Sequence, residues 1–180
     1  ADVAEIELVD TSLRDGNQCV WAALGVDTAK TLTIAPVMDR VGYRAIDFTT
    51  STHMGVAVRY KKEDPWERIR LMAAATPRTP LQFMSTGFRF ISWETASPEF
   101  MALAFKVLAR NGIRRFCLAD PMNDADSNIA CAKMVKQGGG EYVPAGRILK
   151  MIKPISRAVP GGFTPGQTTT LVPFEDAKLG

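Results

Sequence analysis

Three side chains able to bind a metal ion or an organic acid lie close together near the start of the sequence. The segment 10–18 contains Arg14, Asp15 and Gln18. A carboxylate such as that of Asp15 binds hard or borderline cations, and the guanidinium of Arg14 can pair with a carboxylate through two hydrogen bonds. The amide of Gln18 can donate to a carbonyl oxygen. By themselves, an adjacent arginine and aspartate are more often an ordinary ion pair than a metal site.

These side chains follow the first of four short apolar runs, each of strand length. The runs recur at intervals of roughly 35 residues, which is about the size of one βα unit. Because parallel strands end at the same edge of a sheet, we expect Arg14, Asp15 and Gln18 to cluster beyond the first strand. Residues at the ends of the next strands, Asp47, Gln82 and Asp120, should lie nearby. The four predicted strands cover residues 6–9, 45–48, 81–84 and 113–118.

Helical patterns fill the intervals between these runs. Asp64 and Ser97 each precede a proline, which is the usual start of a helix. Further helices are predicted over residues 27–40, with a kink or a split at Pro36, and over residues 126–135. Strands that alternate with helices predict a parallel sheet, either an open sheet or a barrel. We expect the strand order 1-2-3-4.

The pattern degrades after residue 135, where Gln137 is followed by three glycines. Residues 142–155 read as one basic helix, and we predict no fifth strand. We therefore divide the chain into N-terminal βα units, residues 1–135, and a divergent, shortened segment, residues 136–180.

Composition limits the classes of function. The chain has 180 residues and a net charge of +3, with acids and bases interspersed. It shows no basic stripe with interleaved aromatics, so nucleic-acid binding is not indicated. No apolar run reaches the ~18 residues of a membrane span. The widely spaced Cys19, Cys117 and Cys131 are typical of reduced thiols, which predicts the cytoplasm or an organelle matrix.

The segment 10–18 closely resembles the D-[TS]-[TS]-x-R-D-x-x-Q signature of biotin-dependent carboxyltransferase domains. These domains occur in pyruvate carboxylase and oxaloacetate decarboxylase and are related to metal-dependent carbon–carbon lyases. Four further segments follow the family's order and spacing. They are residues 34–36, 63–68, 80–83, and 116–120 with 123–124.

This resemblance implies an α/β fold of the (β/α)8 TIM-barrel lineage. A complete barrel typically needs about 250 residues, so the expectation is a partial or truncated barrel with parallel strands. The resemblance also implies that Asp15 is a metal ligand and that Arg14 and Gln18 hold a keto acid. The implied metal is divalent (Zn, Mn or Mg) and stabilises an enolate, while a partner domain carries biotin.

The sequence departs from the family at several positions. The lysine and the acid that complete the family's metal site are replaced by Ala158 and Val159. The His-x-His pair is absent, because His53 is the only histidine, and we expect it to be a polar pocket or surface residue. Thr86 stands where pyruvate-specific members carry an arginine, and Arg89 lies three residues further on.

Three hypotheses remain open. The chain is an impaired or partner-dependent enzyme, a carboxyltransferase or carbon–carbon lyase, or it is a non-catalytic structural or binding subunit. The third, a fragment of a normal enzyme, would explain the missing half of the barrel but not Ala158. Half a barrel leaves open edges and an open inner face, so we expect another copy or a different subunit to cover it. We predict that this inner face is apolar, lined by residues such as Ile6, Leu8, Phe83 and Phe116.

Overall fold

The computed structural model describes residues 7–90, 94–120, 122 and 124–145. Short π-helical turns cover Ser12–Gly16 and Ala57–Lys61. The strands are β1 Val9–Asp10, β2 Ala45–Thr50, β3 Leu81–Ser85, β4 Ile113–Leu118 and β5 Glu141–Pro144. The helices are α1 Asn17–Trp21, α2 Thr28–Met38, α3 Ser51–Val56, α4 Pro65–Ala75, α5 Pro98–Asn111 and α6 Ala125–Gln137. None of these helices has the length and hydropathy of a membrane span.

The described strands form one parallel sheet in the order β1-β2-β3-β4-β5. This confirms the predicted order of the first four strands. β4 has the predicted bounds, and β2 continues beyond its predicted end to Thr50. β1 is shorter than predicted, because Leu8 lies outside the strand and is 63% exposed, and Ile6 lies outside the described residues.

The expectation of no fifth strand is wrong. β5 pairs with β4 in parallel, and the helix predicted from residue 142 is therefore wrong at its start. Residues 146–155 lie outside the described part of the chain. Pairing along β4 and burial of Tyr142, whose hydroxyl donates to Asn128 Oδ1 at 3.0 Å, stabilise this strand. These are tertiary interactions, and the sequence pattern of a strand of four residues does not reveal them.

The predicted helix starts are confirmed where a side chain caps the first turn. In α4, the Asp64 carboxylate accepts from Trp66 N at 2.9 Å, and in α5 the Ser97 hydroxyl accepts from Phe100 N at 3.2 Å. α2 is continuous through Pro36 rather than split. Pro36 lies in the last turn of α2, so the helix loses the one hydrogen bond that this N–H would donate but has only two residues left to disrupt.

The two faces of the sheet differ in polarity. Phe83 and Phe116 belong to the apolar core under the helices, and the Phe116 ring meets the edge of the Phe105 ring of α5 at 5.5 Å. Because side chains alternate along a strand, the opposite face carries the residues between the core positions. The prediction that Phe83 and Phe116 make the inner face apolar is wrong. In register across β2 to β5, one row of that face carries Asp47, Gln82, Arg115 and Glu141, and the next row in β3 to β5 carries Met84, Cys117 and Val143.

An ionic network crosses this inner face. The carboxylate of Glu141 lies 3.2 Å from Arg44 Nη2 and 3.3 Å from Arg115 Nε, and Arg44 Nε lies 3.4 Å from Glu7. Arg44 immediately precedes β2, whereas Glu141 begins β5. Neighbouring strands are about 4.8 Å apart, so three strand spacings in a flat sheet would span about 14 Å. The long side chains of Arg44 and Glu141 bridge this span across the inner face.

We expect Glu141→Gln to reduce the free energy of unfolding by about 1–3 kcal/mol, because two guanidiniums would lose their shared carboxylate. Urea unfolding measures the change. Glu67→Gln is a matched control, since Glu67 is exposed on α4 and its loss should cost less than about 0.5 kcal/mol. Equal effects of the two substitutions would contradict a stabilising role for the network.

Candidate functional site

The turn that carries the candidate residues follows β1 directly. Thr11 O accepts hydrogen bonds from Asp15 N at 2.8 Å and from Gly16 N at 3.1 Å, which closes the first π-helical turn. The carboxylate of Asp10 accepts from both the main-chain N and the hydroxyl of Ser12 at 3.0 Å. These local bonds define the backbone from which Arg14 and Asp15 project.

Arg14 is held by two carboxylates. Its Nε and Nη2 atoms each lie 2.7 Å from Oδ2 of Asp47, and its Nη1 lies 2.7 Å from Oδ1 of Asp15. Asp47 lies on the inner face of β2 and is 1% exposed. Burial raises the pKa of Asp47, while the charge and hydrogen bond of Arg14 and a hydrogen bond from Gln82 oppose that rise. The Arg14 guanidinium therefore has a fixed position at the end of β1 and β2.

The other predicted members of the cluster differ in placement. Gln82 is next to Asp47 in the strand register and is buried. Asp15 is about half exposed, although Arg14 binds its carboxylate. Gln18 lies on α1 and is exposed. Asp120 lies beyond β4, where its oxygens accept from Met122 N at 3.1 Å and Asp124 N at 2.8 Å.

The described residues do not fit a complete metal site. Within residues 7–90, 94–120, 122 and 124–145, no three His, Cys, Asp or Glu side chains are grouped so that they could hold a metal ion. Asp15, the residue that the family signature points to, pairs instead with Arg14. Ala158 and Val159, at the positions where the sequence analysis predicts that two of the family's ligands are replaced, lie outside the described residues.

His53 is more deeply buried than the sequence suggested. It lies in the first turn of α3, where its main-chain N donates to Oγ1 of Thr50 at 3.2 Å, and it is 6% exposed. Its Nε2 atom is buried and has no hydrogen-bond partner. Burial, with the nearby charges of Arg68, Arg14 and Lys61, lowers the pKa of His53 to about 4, and a hydrogen bond to the Arg14 main chain opposes that shift. The imidazole is therefore neutral at physiological pH.

The turn after β3 contains the two residues considered in place of the family's arginine. The hydroxyl of Thr86 donates to the main-chain oxygen of Arg89 at 2.5 Å, so it stabilises the turn. Arg89 is exposed.

Sequence reasoning identified Asp47 as a neighbour of the site but missed its role as the carboxylate that fixes Arg14. A signal was present in β2, where a charged residue stands between Ile46 and Phe48. An acid at a buried alternating position usually has a cationic partner. The sequence does not say which of the arginines that partner is.

Comparison with known proteins gives relatives of one kind. No family model matches the chain. It is 33% identical over 137 residues to the large subunit of 2-oxoglutarate carboxylase from Hydrogenobacter thermophilus, covering 76% of this chain and 21% of that protein. It is 31% identical over 151 residues to a pyruvate carboxylase subunit of Methanocaldococcus jannaschii, covering 83% of this chain and 26% of that protein. The chain thus spans about a fifth to a quarter of these relatives.

Solved structures give the same result for the fold. The carboxyl transferase domain of Rhizobium etli pyruvate carboxylase with pyruvate matches with a TM-score of 0.74 and 21% identity. The match covers 79% of this chain and 24% of that one. It confirms that the sheet and its helices have the fold of part of such a barrel domain.

The buried His53 predicts a dependence of stability on pH. The folded state keeps His53 neutral down to about pH 4, whereas in the unfolded chain it takes up a proton below about its ordinary pKa of 6.5. The stability that this burial contributes is present above that pKa and falls as the pH drops toward 4. The loss should be about 1–3 kcal/mol.

Urea unfolding of the wild type and His53→Gln at several pH values measures this effect. Because glutamine does not titrate, the free-energy difference between the two proteins should change by that amount between neutral pH and pH 4. A constant difference across the range would show that His53 is not buried in its neutral form.

Proposed function

Because the chain belongs to the carboxyltransferase family that includes pyruvate carboxylase, we propose that it binds a keto acid at the end of β1 and β2. The related chemistry is carboxylation or decarboxylation of the keto acid through an enolate. We propose further that the chain depends on a partner chain for this reaction. The fixed position of Arg14 between Asp47 and Asp15 is the observation that carries the proposal.

The hydrogen bonds of Arg14 leave donors for a ligand. A guanidinium has five N–H groups. Nε and one N–H of Nη2 point to Asp47, and one N–H of Nη1 points to Asp15. One N–H on each terminal nitrogen is left, and a carboxylate can accept from such donors. A guanidinium that is fixed in advance loses little conformational entropy when it binds the acid.

Gln18 is the second residue that we propose for the keto acid. Its position on α1, one turn beyond Asp15, places its amide on the side of the turn that faces solvent. An amide there can donate to the carbonyl oxygen of an acid held by Arg14. Its exposure means that a bound acid or a covering chain would have to order this side chain.

We propose that a partner helps to bind a divalent metal ion and carries biotin. Catalytic metal sites typically have about three protein ligands and an open position. Asp15 would supply one of them, and a partner chain or residues outside the described part would supply the others. Biotin would be carried by a partner domain. The free thiols Cys19, Cys117 and Cys131 fit a reducing compartment, the cytoplasm or an organelle matrix.

A non-catalytic structural or binding subunit is the second candidate. It is favoured by the lack of a three-ligand group within the described residues. Such a protein would keep the half-barrel and its acid-binding arginine and contribute them to a larger assembly.

We expect the purified chain alone to lack stoichiometric metal and not to decarboxylate oxaloacetate, because Asp15 is insufficient as a metal site. Metal analysis, a decarboxylation assay and sedimentation test this, and sedimentation should show association with itself or a partner. Asp15→Ala should then leave the metal content and the decarboxylation rate unchanged. A stable monomer that binds one metal ion and turns over, with Asp15→Ala inactive, would contradict partner dependence.

We expect Asp47→Asn to weaken the binding of pyruvate by roughly tenfold, because Arg14 would lose its charged partner and its orientation. Isothermal titration calorimetry measures the dissociation constant. Arg14→Met should abolish measurable binding. Asp64→Asn is the control, since asparagine still caps α4 and Asp64 lies outside the site. If Arg14→Met binds pyruvate as the wild type does, the proposed function is wrong.

A further inference from the structure

Two exposed patches of opposite charge lie at the same end of the sheet. The described strands are parallel, so all of them end at the edge where the turn with Arg14 lies. The segments after β1 and β2 carry one patch, and the starts of α5 and α6 carry the other. Both combine charged side chains with large exposed apolar ones. Monomeric proteins rarely expose large apolar patches, so these surfaces are candidates for binding another protein.

The basic patch lies on α1, on the turn after it and on the second π-helical turn. Its members, all exposed, are Val20, Trp21, Leu24, Val58, Arg59, Tyr60 and Lys62. The two segments are tied together at one main-chain oxygen, because Lys61 Nζ and Arg68 Nη1 both donate to Val26 O. The members from the two segments therefore belong to one surface.

The two cations of the basic patch are available to a partner. Neither Arg59 nor Lys62 forms an ion pair within the described part of the chain. The nearby acids already have partners: Asp27 pairs with Lys30, Glu63 with Arg68 and Asp64 with Arg70. Lys62 Nζ donates to Arg59 O at 2.9 Å, which leaves further N–H groups for a carboxylate.

The acidic patch lies where α5 and α6 begin. Its members, all exposed, are Glu94, Glu99, Phe100, Leu103, Met122, Asp124 and Asp126. α5 packs against α6, and both helices start at the same edge of the sheet, so their first turns are neighbours. Among the residues that the structure describes, none of the four carboxylates forms an ion pair. Asp124 also caps α6, since its carboxylate accepts from Asp126 N at 3.0 Å.

We propose that a second copy of this chain docks on these surfaces, with the basic patch of each copy against the acidic patch of the other. The basic patch lies beyond β1 and β2, and the acidic patch lies beyond β3 and β4. A two-fold axis between them brings each patch onto its complement, so both contacts form at once. Opposite charges fix the orientation, while the aromatic and aliphatic side chains are buried in the contact.

The presence of both patches on one chain favours a second copy over a different protein. A second copy covers the two patches together and closes the end of the sheet at which Arg14 lies. The inference goes beyond the proposed function and does not depend on keto-acid binding, because neither patch contains Arg14, Asp15 or Gln18.

Sedimentation equilibrium of the full chain, without any acid present, measures the association. We expect a dimer whose dissociation constant rises roughly tenfold between low salt and about 0.5 M salt, because salt screens the ion pairs between the patches. This measurement needs no substitution, so it tests the inference even if a variant fails to fold.

Charge reversal provides a specific test of the pairing. Arg59→Glu with Lys62→Glu makes both patches acidic, and Glu94→Lys with Asp126→Lys makes both basic. Each double variant alone should dimerise at least roughly tenfold more weakly than the wild type, because like charges would meet in both contacts. An equimolar mixture of the two should recover dimers of about wild-type strength, since every contact again joins opposite charges.

Arg40→Glu with Lys133→Glu is the matched control. It changes the net charge as much as the first double variant does, and both residues are exposed and lie outside the patches. This control should dimerise as the wild type does.

The outcomes separate this inference from the proposed function. A wild type that stays monomeric at low salt would overturn the inference and leave the patches to a different protein. A dimer that both double reversals leave intact, or a mixture of folded variants that recovers no dimer, would overturn it as well. Arg14→Met, which tests the acid site, lies outside both patches and should dimerise as the wild type, so either proposal can fail alone.

Discussion

The buried carboxylate of Asp47 is the group on which the geometry of the site depends. A charged group that is 1% exposed is stable only when it is paired, and Arg14 supplies the pair through two nitrogens at 2.7 Å. The same contact fixes the turn after β1 against β2. Without it, Arg14 would be a flexible side chain on an exposed turn, and its guanidinium would have no defined direction.

The two faces of the sheet carry different residues. Phe83 and Phe116 pack under the helices, and the row from Asp47 to Glu141 lies on the other face. Glu141 joins Arg44 across three strand spacings through their long side chains. The interior of a complete barrel is usually filled with bulky branched side chains. The charged row on this face favours an occupant with polar groups of its own, whether that is another segment, another chain or a ligand.

The pairing of Asp15 with Arg14 bears on the chemistry that the chain can support. A carboxylate that neutralises a neighbouring guanidinium is less available to a metal ion, and a metal would have to compete for it. Arg14 and Asp15 are thus coupled, because a cation bound at Asp15 would release one N–H of Arg14. This coupling gives a physical route by which a partner that completes the ligand set would also change the acid site.

The sequence by itself determined the βα order, the strand that begins at Ile113, the capped starts of α4 and α5, and the segment that holds Arg14 and Asp15. These features depend on local interactions: side-chain caps, periodic apolar residues and turn residues close along the chain. The local signals also placed Asp47 and Gln82 near the end of the first strand.

Only the tertiary structure decided which face of the sheet is polar, whether β5 exists, and which side chains pair. Asp47 and Arg14 are separated by 33 residues, and Arg44 and Glu141 by 97. Strand runs such as Leu81–Ser85 are buried nearly throughout, so periodicity cannot tell their two faces apart. The short β5 depends on its pairing with β4 and on the Tyr142–Asn128 hydrogen bond, and both exist only once α6 has packed against the sheet.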